Sequence, residues 1–157
     1  MLSCRTQEIA EQITLRDWEL WSKIKPSEFF GLGWTKETKL ETSPNVVAMT
    51  AWFNELSNWV VSALCTSEQL KERVYVFEKL LMVADHLRTV GNYNGLMAIV
   101  SGLDRGPVYR LKLTLEVRPL SPLLHYIIYS SALLGRYGAQ VHGCPVGRGQ
   151  GALGCQQ

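Results

Sequence analysis

No stretch of this 157-residue sequence is apolar for long enough to cross a membrane, since a spanning helix takes about 20 apolar residues. The best candidate, Ser121–Leu134, is too short and too dotted with polar residues. No signal peptide is expected either, because Met1-Leu-Ser-Cys-Arg5 leads straight into charged sequence. Cysteine is sparse and unpaired: Cys4, Cys65, Cys144 and Cys155 show no short Cys-x-Cys spacing of the zinc-binding kind. His142 stands near Cys144 without a second pair, so no metal site is expected and reduced thiols are the default. Acid is missing beyond Glu116: all 14 acidic residues lie at or before it, beside 13 Lys and Arg. From Val117 onward there are three Arg and no Lys. The net charge of +2 is therefore a composition shift, with no clustered basic stripe suited to nucleic acid. Gly147-Arg-Gly-Gln-Gly-Ala-Leu-Gly154 lacks the Gly-Lys-[Ser/Thr] ending of a phosphate loop. No nucleophile elbow, alternating strand pattern or internal repeat is present. Covalent catalysis and nucleotide hydrolysis lose their support.

Helical periodicity is what remains. The expected fold is all-α, an irregular multi-helix domain over 1–116 followed by a divergent tail over 117–157. In the tail, Ser121-Pro122 opens one possible short helix that stops at Gly135. Seven of the last 23 residues are glycine, so disorder is expected there. Thr14, with Asp17 three residues on, reads as a capping box for a helix carrying Trp18, Trp21 and Ile24 on one side up to Pro26. Ser43-Pro44 opens a long helix to about Leu64, with Val46, Met49, Phe53, Leu56 and Val60 as its inner stripe. Thr66 and Gln69 open another that buries Leu70, Val74, Phe77, Leu81 and Ala84 and stops near Gly91. A short helix after Gly106-Pro107 would turn Val108, Leu111 and Leu115 inward. His86, beside Asp85 and Arg88, fits a solvated face.

The most informative segment lies between these. Asn92-Tyr-Asn-Gly-Leu-Met-Ala-Ile-Val-Ser-Gly-Leu-Asp104 repeats Leu96, Ile99, Val100 and Leu103 at core spacing behind an asparagine cap. Beside that stripe run Met97, Ser101 and Asp104, a soft apolar group, a hydroxyl and a carboxylate on one face. Such a mixed face suits a partner surface, although an ordinary amphipathic helix would read the same way.

Other motifs accompany it: Glu8-Ile-Ala-Glu-Gln-Ile-Thr-Leu15, Lys25-Pro-Ser-Glu-Phe-Phe30, Gly33-Trp-Thr-Lys36, Ser43-Pro-Asn-Val-Val-Ala-Met-Thr50, Phe53-Asn54 with Trp59, and Gly106-Pro-Val-Tyr-Arg-Leu111. In this order and spacing they resemble the CDC25-homology (RasGEF) domain of guanine nucleotide exchange factors for Ras-like small GTPases. The resemblance runs from about Glu8 to Glu116 and covers the N-terminal half of that domain. After Glu116 no stretch resembles its later motifs, including the Asn-Phe-Ser-Lys-Arg-like run after its projecting hairpin. A truncated or alternatively spliced product would read this way.

The resemblance implies a regulatory exchange factor that promotes GDP release without covalent chemistry, cofactor or metal. In the family a helical core grips switch 2 of the GTPase while the hairpin pushes switch 1 aside. The positions carried over are Trp34, Val47, Thr50, Met97, Ser101, Asp104 and Tyr109. Trp34, Val47 and Met97 would anchor, and Ser101, Asp104 and Tyr109 would orient. Trp34 also fits a core aromatic, and Tyr109 a local turn cap. Asp104 stands where Sos-type members carry Asn, which turns a donor amide into an acceptor. The implied partner is Ras, Rap or Ral, and Pro-Asn-Val-Val-Ala is similar to Ral-directed members. The implied place is cytoplasmic, with any recruitment to the inner membrane surface left to modules not in this chain. Without the hairpin, exchange would be weak or absent, and Phe53, Phe77 and Leu81 would lack packing partners. The alternative is a non-catalytic helical fragment that binds a GTPase or a longer isoform.

Overall fold

The computed structural model describes residues 5–116, and within them all regular structure is helical. The expected tail helix from Ser121 lies outside the described residues. In chain order the elements are α1 (Thr6–Trp21), a 3-10 segment (Pro26–Thr35), α2 (Lys39–Thr42), α3 (Pro44–Cys65), α4 (Leu70–Val90), α5 (Tyr93–Leu103), α6 (Gly106–Tyr109) and α7 (Lys112–Glu116). Helices α1, α3, α4 and α5 pack on one another around the core, and the short elements lie against them.

Helix α1 begins eight residues before the expected cap at Thr14. There the Thr14 hydroxyl donates to the Ala10 carbonyl at 2.8 Å, a bond within a helix and not at its start. The buried side is Ala10, Ile13, Asp17 and Leu20, spaced for a single helical face. Trp18 and Trp21, expected on one side together, are 67% and 57% exposed. The local Thr-x-x-Asp pattern therefore misreads a buried carboxylate as a cap.

Helix α3 starts and ends where the sequence places it. Its deepest residues are Leu56, Ser57, Val60 and Leu64, while Val46, Met49 and Phe53 are half-buried. Helix α4 opens at Leu70 behind Gln69, and its inner line is Val76, Phe77, Leu80, Val83, Ala84 and Leu87. Leu70 is on the outside, and Val74 and Leu81 are half-buried. Phe77 is fully packed, and Phe53 and Leu81 rest against the core, contrary to the expected shortage of partners. Gly91 ends α4 in the left-handed region (φ 85°), which lets the Asn92 N–H reach back to the Leu87 carbonyl at 2.9 Å. Asn92 then caps α5 by accepting from the Gly95 N–H at 2.9 Å. The expected helix after Pro107 is two short ones, α6 and α7, with Val108 buried between α3 and α5. His86 is half-buried, more covered than a solvated face would leave it.

Candidate functional site

Helices α3 and α5 meet along a seam of small residues. Ser57 donates to the Ala98 carbonyl at 2.8 Å, and both residues are wholly buried. Gly102 faces α3 so closely that a Cβ there would lie 2.7 Å from the Ser57 carbonyl and 2.7 Å from Val60 Cβ. Only a residue without a side chain permits this approach.

The seam decides which flanks adjoin. An α-helix turns once in about 3.6 residues, so Met97, Ser101, Asp104 and Arg105 fall to one side of the Ala98–Gly102 contact line. On α3 the line Val47, Thr50, Asn54 and Asn58 runs beside Ser57 with i, i+3, i+7 and i+11 spacing. Arg105 donates through Nη1 to the Asn58 side-chain carbonyl, which ties these two flanks together. Five sequence-expected residues, Val47, Thr50, Met97, Ser101 and Asp104, thus share one side of the seam. Val47, Met97 and Ser101 are half-buried, while Thr50 and Asp104 are exposed. The Thr50 hydroxyl donates to the Val46 carbonyl at 2.9 Å. Asp104 is the capping residue just past the end of α5, exposed, with its N–H donating to the Val100 carbonyl at 3.0 Å.

The other two expected residues sit on short elements. Tyr109 is 68% exposed on α6, which touches both α3 and α5. Trp34 is half-buried in the 3-10 segment, its ring edge-on to Phe29 with centroids 6.0 Å apart. Within this segment Phe30, Gly31 and Leu32 leave helical geometry, and Leu32 takes a left-handed φ of 55°. Phe29, Phe30 and Leu32 are exposed at this kink.

Glu28, which sequence reasoning missed, fastens that segment to α3. Its buried carboxylate accepts from Asn45 N–H at 2.8 Å, Val46 N–H at 3.2 Å and Asn45 Nδ2 at 2.7 Å. It also accepts from Lys25 N–H at 3.2 Å. Ser43, expected to cap α3 itself, instead donates to the Glu28 carbonyl at 2.8 Å. The free N–H groups of the first turn of α3 are thus met by a carboxylate from 17 residues upstream, at the helix end that favours negative charge. Burial alone would push the Glu28 carboxyl up. The hydrogen bonds from Asn45 Nδ2 and the Lys25, Val46 and Asn45 N–H groups outweigh it and hold the pKa below its ordinary value.

The opposite side of α3 differs. Between α1 and α3 lies an open groove of about 710 Å³ walled by Ile9, Ile13, Trp52, Leu56 and Trp59, with Glu8 and Glu55 at its edge. Among the described residues no group of three or more His, Cys, Asp or Glu could hold a metal ion. No helix among them is long and apolar enough to cross a membrane.

The RasGEF domain family matches residues 8–126, a range that continues past the described part. Ras guanine nucleotide exchange factor R of Dictyostelium discoideum is 43% identical over 115 residues, 73% of this chain and 7% of that protein. Ras guanine nucleotide exchange factor A of the same organism is 40% identical over 110 residues, covering 70% of this chain and 18% of its own length. Human Ras-specific guanine nucleotide-releasing factor 1 is 42% identical over 107 residues, 68% of this chain and 8% of that protein. The chain thus spans only a small part of the length of these relatives.

Proposed function

The chain belongs to the RasGEF domain family, and from that premise we propose that it docks a Ras-like small GTPase through the joined flanks of α3 and α5. The observation that carries this reading is the Asn58–Arg105 bond, which sets the Val47–Thr50–Asn54 line beside Met97, Ser101 and Asp104. Val47 and Met97 offer apolar anchors, and Thr50, Ser101 and Asp104 offer polar groups that fix orientation. Trp34 and Tyr109, on short elements that pack against α3, extend the surface beyond the seam.

Docking of this kind promotes GDP release by favouring the GTPase conformation that holds nucleotide poorly, so it is differential binding and not acid–base chemistry. On the expectation that the sequence beyond the matched residues 8–126 does not supply the hairpin that opens switch 1, this chain grips switch 2 with weak exchange or none. Asp104 places a carboxylate where an acidic switch would be repelled, which biases the choice among Ras, Rap and Ral.

Release of a fluorescent GDP analogue from purified Ras, Rap and Ral, with and without excess chain, tests the reading alongside capture of each nucleotide-free GTPase. Capture of at least one, with slow or no accelerated release, is the expected result. The paired change Trp34→Ala and Met97→Ala should abolish capture. Failure of all three GTPases to bind, or capture unaffected by that pair, contradicts it.

A further inference from the structure

One buried carboxylate is used by neither the core nor the proposed surface. Asp17, on the inner face of α1, is 6% exposed, yet no cation pairs with it in a salt bridge among the described residues. Instead three neutral donors converge on it. Trp52 Nε1 from α3 reaches Oδ1 at 2.8 Å, and Asn94 Nδ2 from α5 reaches the same oxygen at 3.0 Å. Asn92 Nδ2 reaches Oδ2 at 2.6 Å while its own carbonyl oxygen caps α5 at the Gly95 N–H. Asn92 Nδ2 also lies 3.2 Å from the Thr14 hydroxyl.

We infer that Asp17 is a positioning residue for the proposed GTPase surface: it sets the rotation and height of α5 against α3, and so where Met97 and Ser101 stand. The inference rests on the docking reading given above. Three features support it. A buried carboxylate is costly unless its oxygens are satisfied, so the donors cannot drift without leaving that cost uncompensated. Two of the donors flank the first residue of α5, the end from which Met97 follows within one turn. The third comes from the helix that carries the other half of the surface. Asp17 itself lies on α1 and bears no surface residue, so its effect is transmitted through Asn92 and Asn94.

The geometry permits a test by exchange of donor and acceptor. In Asp17→Asn the amide oxygen can still accept from Trp52 and Asn94, but its NH2 then faces the Asn92 NH2. Adding Asn92→Asp gives that NH2 a carboxylate to meet, and the new carboxylate can still cap α5. The 157-residue chain with Asp17→Asn should bind nucleotide-free Ras about tenfold more weakly than the parent, with shifted amide resonances at Met97 and Ser101. The double change should recover binding to within about threefold and return those resonances. Trp52→Phe, which removes one donor and keeps an aromatic ring, should give an intermediate loss. Asp17→Asn with binding and α5 resonances unmoved overturns the inference, as does a loss that Asn92→Asp leaves unrepaired. Should the parent chain bind no GTPase, the docking reading fails, whereas movement and recovery of the α5 resonances still judge the role of Asp17. If Asp17→Asn does not fold, the Trp52→Phe resonances decide alone: α5 shifted supports the role, and α5 unmoved overturns it.

Discussion

Helix α3 faces two neighbours in opposite ways. Toward α5 it presents Ser57 and Val60 to Ala98 and Gly102, and the helices approach until no side chain fits at position 102. Toward α1 it presents Trp52, Leu56 and Trp59, and a groove of about 710 Å³ stays open beside them. Large aromatics bring more apolar area, but small residues bring closeness, and closeness fixes orientation. The seam is therefore suited to holding a composed surface in one arrangement. The groove, with more apolar wall, is bridged by the Trp52–Asp17 hydrogen bond and not by close backbones.

The contrast can be broken most severely at the seam itself. Gly102→Val would drive side-chain atoms into the Ser57 carbonyl and Val60, and should cost about 3 kcal/mol in urea denaturation. A loss below about 1 kcal/mol would mean that the helices separate easily and the seam is not the rigid element.

Next comes the fastening at the head of α3. The Glu28 pKa is lowered in the folded chain, so its protonation is easier in the unfolded one. Its contribution is fully present above the unfolded carboxylate range and is lost as pH falls through its folded value. Glu28→Gln should lower stability at neutral pH and reduce the further loss on acidification, which urea midpoints across the acid range would show. An unchanged acid profile would remove Glu28 from the account.

Ser57→Ala takes away the buried hydroxyl across the seam and should cost about 1 kcal/mol by the same measurement. Trp59→Ala in the groove removes a far larger side chain that is only half-buried, yet it should cost less than about 1 kcal/mol. If the tryptophan proved the more damaging of the two, the groove and not the seam would be the tighter region.

The same contrast shows what the sequence could disclose. Features that act within a few residues were legible: Ser43-Pro44 as the start of α3, Gly91 as the stop of α4, and Asn92 as the cap of α5. The exposure of Thr50 beside half-buried Met49 and Phe53 was legible too, because helical spacing alone assigns flanks, whereas Val47 is half-buried like Val46. Asp17 and Glu28 were not. Apart from the Lys25 N–H, three residues before Glu28, their partners lie between 17 and 77 residues away, where no local pattern reaches. Asp17 was misread because Thr14 stands three residues before it, imitating a cap in the middle of a helix. The kink at Phe30–Leu32 was missed because a left-handed leucine has no sequence signature.

The most direct test of the docking surface is a resonance map of the full chain titrated with nucleotide-free Ras. The account predicts that amides of Thr50, Asn54, Met97, Ser101 and Asp104 broaden first, while Ile9, Trp52 and Trp59 stay sharp. Broadening confined to the groove residues, with the α3–α5 flank unmoved, would contradict it.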